Sequence, residues 1–246
     1  MPLRRDPLGR DRPRPRVEAP RPKSKPRMGR AATDAKLAEE RATVLSRNAV
    51  SRETAESLDR YVEMLREWQR HINLVSPATV PEVWTRHLED GLVLGRLARG
   101  VTRWADIGSG AGLPGLVLAI LMRERDGGHV DLVESNGKKA AFLRAVVREL
   151  DLPAEVHARR IEDCASVIGA AEGISARALA SLPDLLDLVA PLAPEATLWF
   201  LKGRSHEEEI ADAAALWRFD MVKHSLDTEE GAVLLEITTP RRSGEG

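Results

Sequence analysis

An aspartate followed by three alternating glycines is the most chemically suggestive pattern in the chain: Asp106, Gly108, Gly110 and Gly112. Glycine adopts backbone angles that other residues resist, and a glycine loop leading into a helix presents its N–H groups to a ligand. Pro114 suits the first position of that helix, because its missing N–H would have no partner there. The aspartate favours a ligand that carries an ammonium group and disfavours a pyrophosphate. The pattern therefore predicts a ligand-binding loop between a strand and a helix.

The loop matches the dinucleotide-binding fingerprint G-x-G-x-x-G only in part. Counted from Gly108, Leu113 stands where the third glycine is needed; counted from Gly110, the pattern is complete at Gly115 but Pro114 interrupts it. The better description, D-x-G-x-G-x-G, resembles the nucleoside-binding loop of class I methyltransferases that use S-adenosylmethionine. A glycine-rich turn that binds no ligand is the alternative interpretation.

Strand and helix patterns alternate after the loop, which is typical of a parallel sheet. Strands are predicted over 101–107, 129–134, 154–158, 173–178 and 196–202, and helices over 137–150, 161–168, 182–189 and 205–217. Two closing strands, 220–224 and 232–238, are expected to form an antiparallel hairpin. We therefore expect an α/β domain over 101–240.

Helical patterns dominate the chain before this domain. Helices are predicted over 33–45, from Ser51 through Trp68, and from Pro81 to a stop at Gly100. Ser51 suits an N-cap, and most apolar residues of these helices are expected to be core. Segment 33–100 is therefore predicted to form a helical cap packed against the α/β domain.

The charge of the chain is unevenly distributed. Eleven basic and three acidic residues give segment 1–30 a charge of +8, which leaves −9 for the remainder, since the net charge is −1. Proline alternates with the basic residues, so 1–32 is predicted to be a disordered basic Pro/Arg-rich tail, and 241–246 a disordered C-terminus. The tail is interpreted either as an electrostatic tether for RNA, or as an inert extension or a start codon assigned too far upstream.

Cys164 is the only cysteine in the sequence, so no intrachain disulfide can form, which is typical of a reducing compartment. No apolar run approaches the length of a membrane span, and the first residues lack the apolar segment of a secretory signal. We expect a cytoplasmic monomer with no membrane partner and no bound metal.

Ligands of doubly wound sheets bind beyond the carboxyl ends of the strands, so the residues that follow each strand are candidates for the site. Glu134 is placed to accept hydrogen bonds from two ribose hydroxyls, although it could be only a solvated strand-end acid. Segment 160–162 offers an apolar side chain and backbone to an adenine. Arg177 lies among apolar residues and therefore needs an anionic partner or a route to solvent, and Lys202 ends the fifth strand.

Several motifs occur together, in order, over about 55–239. They are DIGSGAGLPG at 106–115, ES-x-x-K at 134–138, R-x-E at 160–162, R-A at 177–178 and LKG at 201–203, preceded by N-L at 73–74 and R-H-x-x-D at 86–90. In this combination the chain resembles the bacterial small-subunit ribosomal RNA (guanine-N7)-methyltransferase family, also called glucose-inhibited division protein B. It departs from the family pattern at Val75, Gly91 and Glu134, where Thr, Ser and Asp are usual.

The resemblance implies a class I, Rossmann-like methyltransferase fold with an N-terminal helical cap, and S-adenosyl-L-methionine as methyl donor. It implies that the acceptor is N7 of a guanine in small-subunit (16S) ribosomal RNA, either naked or in the 30S particle. Cofactor contacts are expected at Asp106, Gly108, Gly110, Leu113, Glu134, Ile161, Glu162 and Arg177. RNA contacts are expected at Arg86, Lys138, Arg160, Lys202 and Arg204. Candidates for positioning the substrate are Asn73, His87 and Arg177.

Guanine N7 carries a lone pair and no proton, so its methylation needs no general base. The expected task of the protein is to hold N7, the methyl carbon and the sulfur in line. His87 could instead be a packed histidine that is hydrogen-bonded to Asp90 or Glu89. Two other functions stay open: a methyltransferase of this fold with another substrate, and a non-catalytic RNA-binding or assembly module. The intact glycine loop disfavours the second.

Overall fold

The computed structural model describes residues 29–244, so the predicted tail over 1–28 and the last two residues lie outside the described residues. The strands are β1 (Arg103–Ile107), β2 (His129–Val133), β3 (Ala154–His157), β4 (Gly173–Arg177), β5 (Thr197–Lys202), β6 (Trp217–Ser225) and β7 (Val233–Arg242). The helices are α1 (Arg30–Arg47), α2 (Arg52–Trp68), α3 (Glu89–Leu97), α4 (Gly115–Met122), α5 (Gly137–Glu149), α6 (Ala165–Gly169), α7 (Leu182–Val189) and α8 (His206–Leu216).

The strands form one seven-stranded sheet in the order β3-β2-β1-β4-β5-β7-β6. Strands β1 to β5 pair in parallel, and β7 is antiparallel to both β5 and β6. Ile107, at the end of β1, is in register with Val133 on β2 and with Ala176 on β4. The carboxyl ends of these three strands therefore lie level at one edge, and the chain order reverses between β1 and β4. Such a reversal is where doubly wound sheets bind ligands.

The cap is joined to the sheet by a shared apolar core. Leu58 and Leu65 on α2 and Leu88 before α3 are fully buried in the same cluster as Phe142 on α5 and Leu132 on β2. Helix α2 begins as predicted, because the Ser51 side chain accepts a hydrogen bond from the Thr54 N–H at 3.0 Å. Burying this much apolar surface on both sides fixes the cap against the sheet.

Helix α3 packs closely on α4 because of a small residue. A Cβ added at Gly91 would lie 2.7 Å from Val117 Cβ, too close for an unshifted neighbour. The helix predicted from Pro81 differs in detail: a 3-10 turn (Val80–Glu82) and a π-helical segment (Trp84–Leu88) precede α3. Such π segments often occur at functional sites, and this one carries two of the residues expected at the substrate.

Several boundaries differ from the sequence prediction. Helix α1 begins at Arg30, inside the predicted disordered tail, and β7 continues to Arg242, inside the predicted disordered C-terminus. The sequence pattern places Trp217 at the end of a helix, but it begins β6, since its ring is buried beneath the Arg242 guanidinium. Pro114 is the N-cap of α4 and not its first helical residue. The helix predicted over 161–168 is a 3-10 turn (Ile161–Cys164) followed by α6.

Within residues 29–244, none of the helices combines the length and apolar character that crossing a membrane requires.

Candidate active site

The glycine loop joins β1 to α4 at the central edge of the sheet. Gly108, Gly110 and Gly112 have φ values of 67°, 57° and 83°, in the region that other residues rarely adopt. Ser109 holds the loop in place: its N–H donates to Val133 O at 3.0 Å and its hydroxyl donates to Asp106 O at 2.8 Å. A Cβ at Gly110 would meet only Gly108 O, at 3.6 Å, so the space beside this residue is open to a ligand.

Glu134 lies directly after β2 and faces the loop. Its Oε2 accepts from Gly110 N–H at 2.8 Å, and its Oε1 accepts from Asn136 N–H at 2.7 Å. The side chain is buried, so the alternative of a merely solvated strand-end acid is wrong. Each carboxylate oxygen retains lone-pair capacity for a hydroxyl, which keeps the predicted ribose contact available.

Asp106 is enclosed beneath the loop, with 1% of its surface exposed. Its Oδ1 accepts from the Ser175 hydroxyl at 2.6 Å, and a Cβ at Gly115 would lie 2.7 Å from its Cγ. Burial raises the pKa of Asp106 from 3.8 to about 6. The sequence suggests an acid that faces an ammonium group openly; the structure places it where it supports the loop from within.

Tyr61 is a loop contact that sequence reasoning missed. The helical pattern assigns it to the apolar face of α2, but its hydroxyl donates to the Ala111 carbonyl at 2.7 Å, and the residue is fully buried. Burial raises the pKa of Tyr61 well above its usual value, so the hydroxyl stays a donor. The available signal was chemical, because a buried tyrosine in an apolar face needs a partner for its O–H.

Arg177 ends β4 and has an anionic partner, which is one of the two environments that the sequence predicts for it. Its Nη1 lies 3.1 Å from Asp90 Oδ2, and its Nη2 donates to the Arg86 carbonyl at 2.9 Å. The other oxygen of Asp90 accepts from the Thr228 hydroxyl at 2.7 Å. Burial raises the pKa of Asp90 from 3.8 to about 6. Arg177 is therefore held by the cap, which is held in turn by the β6–β7 turn.

A cavity of about 270 Å³ opens beside Arg177. Its walls come from the ends of β4 and β5, from the cap and from the β6–β7 turn. Ala178 and Ala180 line it, and between them Leu179 lies against the glycine loop: a Cβ at Gly108 would be 2.7 Å from Leu179 Cδ1. Ala178 has a φ of 50°, which is strained for a residue with a side chain. One residue thus separates the cavity from the loop.

The residues expected at the adenine lie beyond β3, at the same edge of the sheet. Ile161 is half-buried, whereas Arg160 and Glu162 are exposed. Arg160 has extended backbone angles and directly precedes the 3-10 turn. Leu113 is buried within the glycine-loop segment. Contacts between these residues and a cofactor stay predictions.

The residues expected to contact RNA lie in different environments. Lys138 at the start of α5 and Arg204 after β5 are exposed. Arg86 lines the cavity, and its Nη2 lies 2.6 Å from Glu229 Oε2. The prediction that Lys202 contacts RNA is wrong. Only 8% of the residue is exposed, and its ammonium group donates to Ala180 O and Glu209 Oε2, each at 2.7 Å. The Lys202 ammonium group is therefore paired inside the fold and is not available to the RNA backbone.

The two remaining positioning candidates differ in environment. Asn73 is exposed in the loop after α2. His87 is half-buried, and its Nε2 lies 3.2 Å from Thr79 Oγ1 rather than next to Asp90 or Glu89. Burial lowers the pKa of His87 from 6.5 to about 3, so its ring is neutral at physiological pH.

Comparison with known proteins identifies the family. The profile described as "GidB: rRNA small subunit methyltransferase G" matches residues 54–232. The chain belongs to this family. It is 47% identical over 195 residues to Ribosomal RNA small subunit methyltransferase G of Bartonella henselae, covering 79% of this chain and 91% of that one. It is 48% identical over 195 residues to the Brucella ovis protein of the same name, covering 79% and 92%. The resemblance inferred from the motifs is confirmed.

Comparison with solved structures confirms the predicted fold class of this protein. The O-methyltransferase TomG from Streptomyces achromogenes, solved in complex with SAM, superposes with a TM-score of 0.53 at 13% identity, covering 86% of this chain and all of that one. A Corynebacterium glutamicum protein gives a TM-score of 0.54 at 16% identity, covering 85% and 99%. At these identities the likeness shows the fold, which is that of the class I methyltransferases, preceded here by the helical cap.

Proposed function

We propose that the protein transfers the methyl group of S-adenosyl-L-methionine to N7 of a guanine in small-subunit ribosomal RNA. The observation that carries the proposal is the family match over 54–232, which spans the glycine loop, Glu134, Arg177 and every residue that lines the cavity. The relatives named for small-subunit ribosomal RNA are nearly half identical to this chain. Identity of that extent supports transfer of the substrate class to this protein.

The loop fits the proposed cofactor. Open space beside Gly110 admits a ligand against the main chain, and the buried Glu134 carboxylate offers acceptors to ribose hydroxyls. Asp106 supports the loop from within, and Ile161 offers an apolar surface to the adenine. S-adenosylmethionine, when bound, supplies a methyl group already activated by its sulfonium.

Positioning is the main chemical requirement, because guanine N7 has no proton to remove. Alignment of bound reactants can supply about 7–11 kcal/mol of barrier reduction in favourable cases. The neutral ring of His87 and the internally paired Arg177 are consistent with a site that orients its substrate. We infer that the cap and the β6–β7 turn hold the base while the glycine loop holds the cofactor.

The proposed substrate is small-subunit ribosomal RNA, either naked or in the assembled small subunit. We propose that the protein acts as a monomer in the cytoplasm, where ribosomal RNA is processed. Lys138, Arg160 and Arg204 are exposed at the carboxyl edge of the sheet and are proposed to contact RNA backbone.

Transfer of a labelled methyl group tests the proposal. Purified protein and labelled S-adenosylmethionine are incubated with naked 16S rRNA or with small subunits, both from cells that lack the family enzyme. Gly110→Val is expected to abolish transfer, because valine resists a φ of 57° and fills the ligand space. Gly100→Val is the matched control, since nothing lies within 4 Å of a Cβ there and its φ is not positive. Equal incorporation by both variants would contradict the assignment of the loop.

A further inference from the structure

Three acidic residues line the cavity beside Arg177, and two of them are fully engaged. Asp90 uses one oxygen for Arg177 and the other for Thr228. Glu209 accepts from Lys202 and Leu182 N–H with one oxygen and from the Ser205 hydroxyl with the other. These two carboxylates hold the walls of the cavity together.

Glu229 is the third acid and has a free oxygen. Its Oε2 lies 2.6 Å from Arg86 Nη2, whereas its Oε1 has no hydrogen-bond partner in the described part of the chain. The side chain is 46% exposed, so it is accessible to a ligand that enters from solvent. Contact with Arg86 lowers the pKa of Glu229, which keeps the carboxylate ionised at neutral pH.

The size of the cavity suits one planar base. Pockets for drug-sized ligands enclose about 300–1,000 Å³, and this one measures about 270 Å³. It lies at the carboxyl ends of β4 and β5, with Leu179 between it and the glycine loop. A base seated here has one edge towards the loop and the opposite edge towards the β6–β7 turn.

Resting on the function proposed above, we propose that this cavity takes the acceptor guanine and that the Glu229 carboxylate accepts hydrogen bonds from guanine N1–H and N2–H. These two donors lie side by side on the Watson–Crick edge, and N7 lies on the other side of the base. The carboxylate therefore directs N7 towards the cofactor loop. Adenine presents a lone pair at its N1, so the same carboxylate rejects it by electrostatic repulsion.

The two hydrogen bonds from the guanine to the Glu229 carboxylate become stronger during the reaction. The N7 lone pair forms the new N–CH₃ bond, the S–CH₃ bond breaks, and its electron pair stays on sulfur. The sulfonium becomes a neutral thioether and the guanine becomes a cation, with no proton transferred. Positive charge on the base makes N1–H and N2–H stronger donors to a carboxylate. Glu229 thus binds the transition state better than the ground state, which is the requirement for catalysis.

Glu229→Gln tests this assignment, with Glu230→Gln as matched control, because Glu230 is exposed and does not line the cavity. The substrates are ligated RNAs that carry guanosine or inosine at the methylated position; inosine lacks only the N2 amino group. Wild type and Glu230→Gln are expected to prefer guanosine by about 10-fold or more in kcat/KM, the value of one charged hydrogen bond. Glu229→Gln is expected to lose about 10–100-fold on guanosine and to treat the two RNAs alike.

Arg86→Gln distinguishes two roles of Glu229, which are recognition of the base and support of the cap through its ion pair with Arg86. If Glu229 acts on the base, Arg86→Gln lowers the rate but keeps the preference for guanosine over inosine. A Glu229→Gln enzyme that retains this preference, or an Arg86→Gln enzyme that loses it equally, would overturn the assignment while ribosomal RNA methylation by wild type stands. Absence of methyl transfer by wild type would instead remove the proposed function, and the inference with it.

Discussion

The Tyr61 hydroxyl donates a 2.7 Å hydrogen bond to the Ala111 carbonyl, so the cap holds the glycine loop directly. The two residues are 50 positions apart, one on α2 and the other between two glycines of the loop. Both are buried. The loop conformation that presents Gly110 to a cofactor therefore depends on the helical cap as well as on the sheet.

Tyr61→Phe is expected to reduce both stability and cofactor affinity. The phenylalanine ring keeps its packing against Phe142, whose ring centroid lies 6.4 Å away, but leaves the Ala111 carbonyl unpaired. An unsatisfied buried acceptor costs about 1–3 kcal/mol. Urea unfolding measures the decrease in stability, and calorimetric titration with S-adenosylhomocysteine measures the affinity. Unchanged affinity would show that the cap does not organise the loop.

Glu134→Ala is expected to weaken S-adenosylhomocysteine binding by about 1–3 kcal/mol, since it removes a charged acceptor. The substitution also releases the N–H groups of Gly110 and Asn136. Glu134→Asp, the residue usual in the family, is the control and should retain most of the affinity. A change below about 0.3 kcal/mol for alanine, well under the value of a charged hydrogen bond, would exclude a cofactor contact.

Asp106→Asn is expected to stabilise the fold at neutral pH. The folded-state pKa of Asp106 is raised from 3.8 to about 6, so the folded protein holds this proton more tightly than the unfolded chain. Stability is therefore lost as pH rises from 3.8 to about 6. Removing the buried charge should raise the free energy of unfolding at pH 7.5 by on the order of 1–3 kcal/mol.

The measurement is denaturant unfolding of wild type and Asp106→Asn at pH 4 and pH 7.5. The variant should gain stability at the higher pH only, because both folded proteins are uncharged at this position at the lower one. Asp90 shifts in the same direction and keeps part of the pH dependence in the variant. A variant that is less stable at pH 7.5 would contradict the assigned cost of burial.

Deletion of residues 1–28 is expected to weaken RNA binding without changing the methylated guanine. Segment 1–30 carries +8 against −9 for the remainder, so the body of the protein repels a polyanion at long range. If the tail binds about three to five phosphates of single-stranded RNA, its deletion should flatten the slope of log affinity against log salt by about 0.7 for each phosphate. An unchanged slope would contradict the tether and favour the alternatives of an inert extension or a start codon assigned too far upstream.

The central sheet was predictable because its signals are local. The glycines of the loop, the order of strands and helices and the N-cap serine Ser51 each depend on signals within a few residues, and the structure confirms them apart from the element boundaries given above. Arg177 was expected to need an anionic partner or a route to solvent, and the structure shows the partner, Asp90, at 3.1 Å.

Pairings between residues distant in sequence were not predictable. Thr228 meets Asp90 across 138 positions and Tyr61 meets Ala111 across 50; only the assembled fold brings them together. Lys202 looked available for RNA because it ends a strand, but its partner Glu209 lies on the next helix and neutralises its charge. The π-helical segment before α3 has no simple sequence signature, so Arg86 could be named but not placed.

Mass-spectrometric mapping of nucleosides in small-subunit ribosomal RNA tests the central claim most directly. RNA from cells that lack the protein is compared with RNA from the same cells that express wild type or Gly110→Val. The account predicts one 7-methylguanosine that appears with wild type and is absent with the variant and without the protein. Identical RNA in all three samples, or a new methyl group on any atom other than guanine N7, would contradict it.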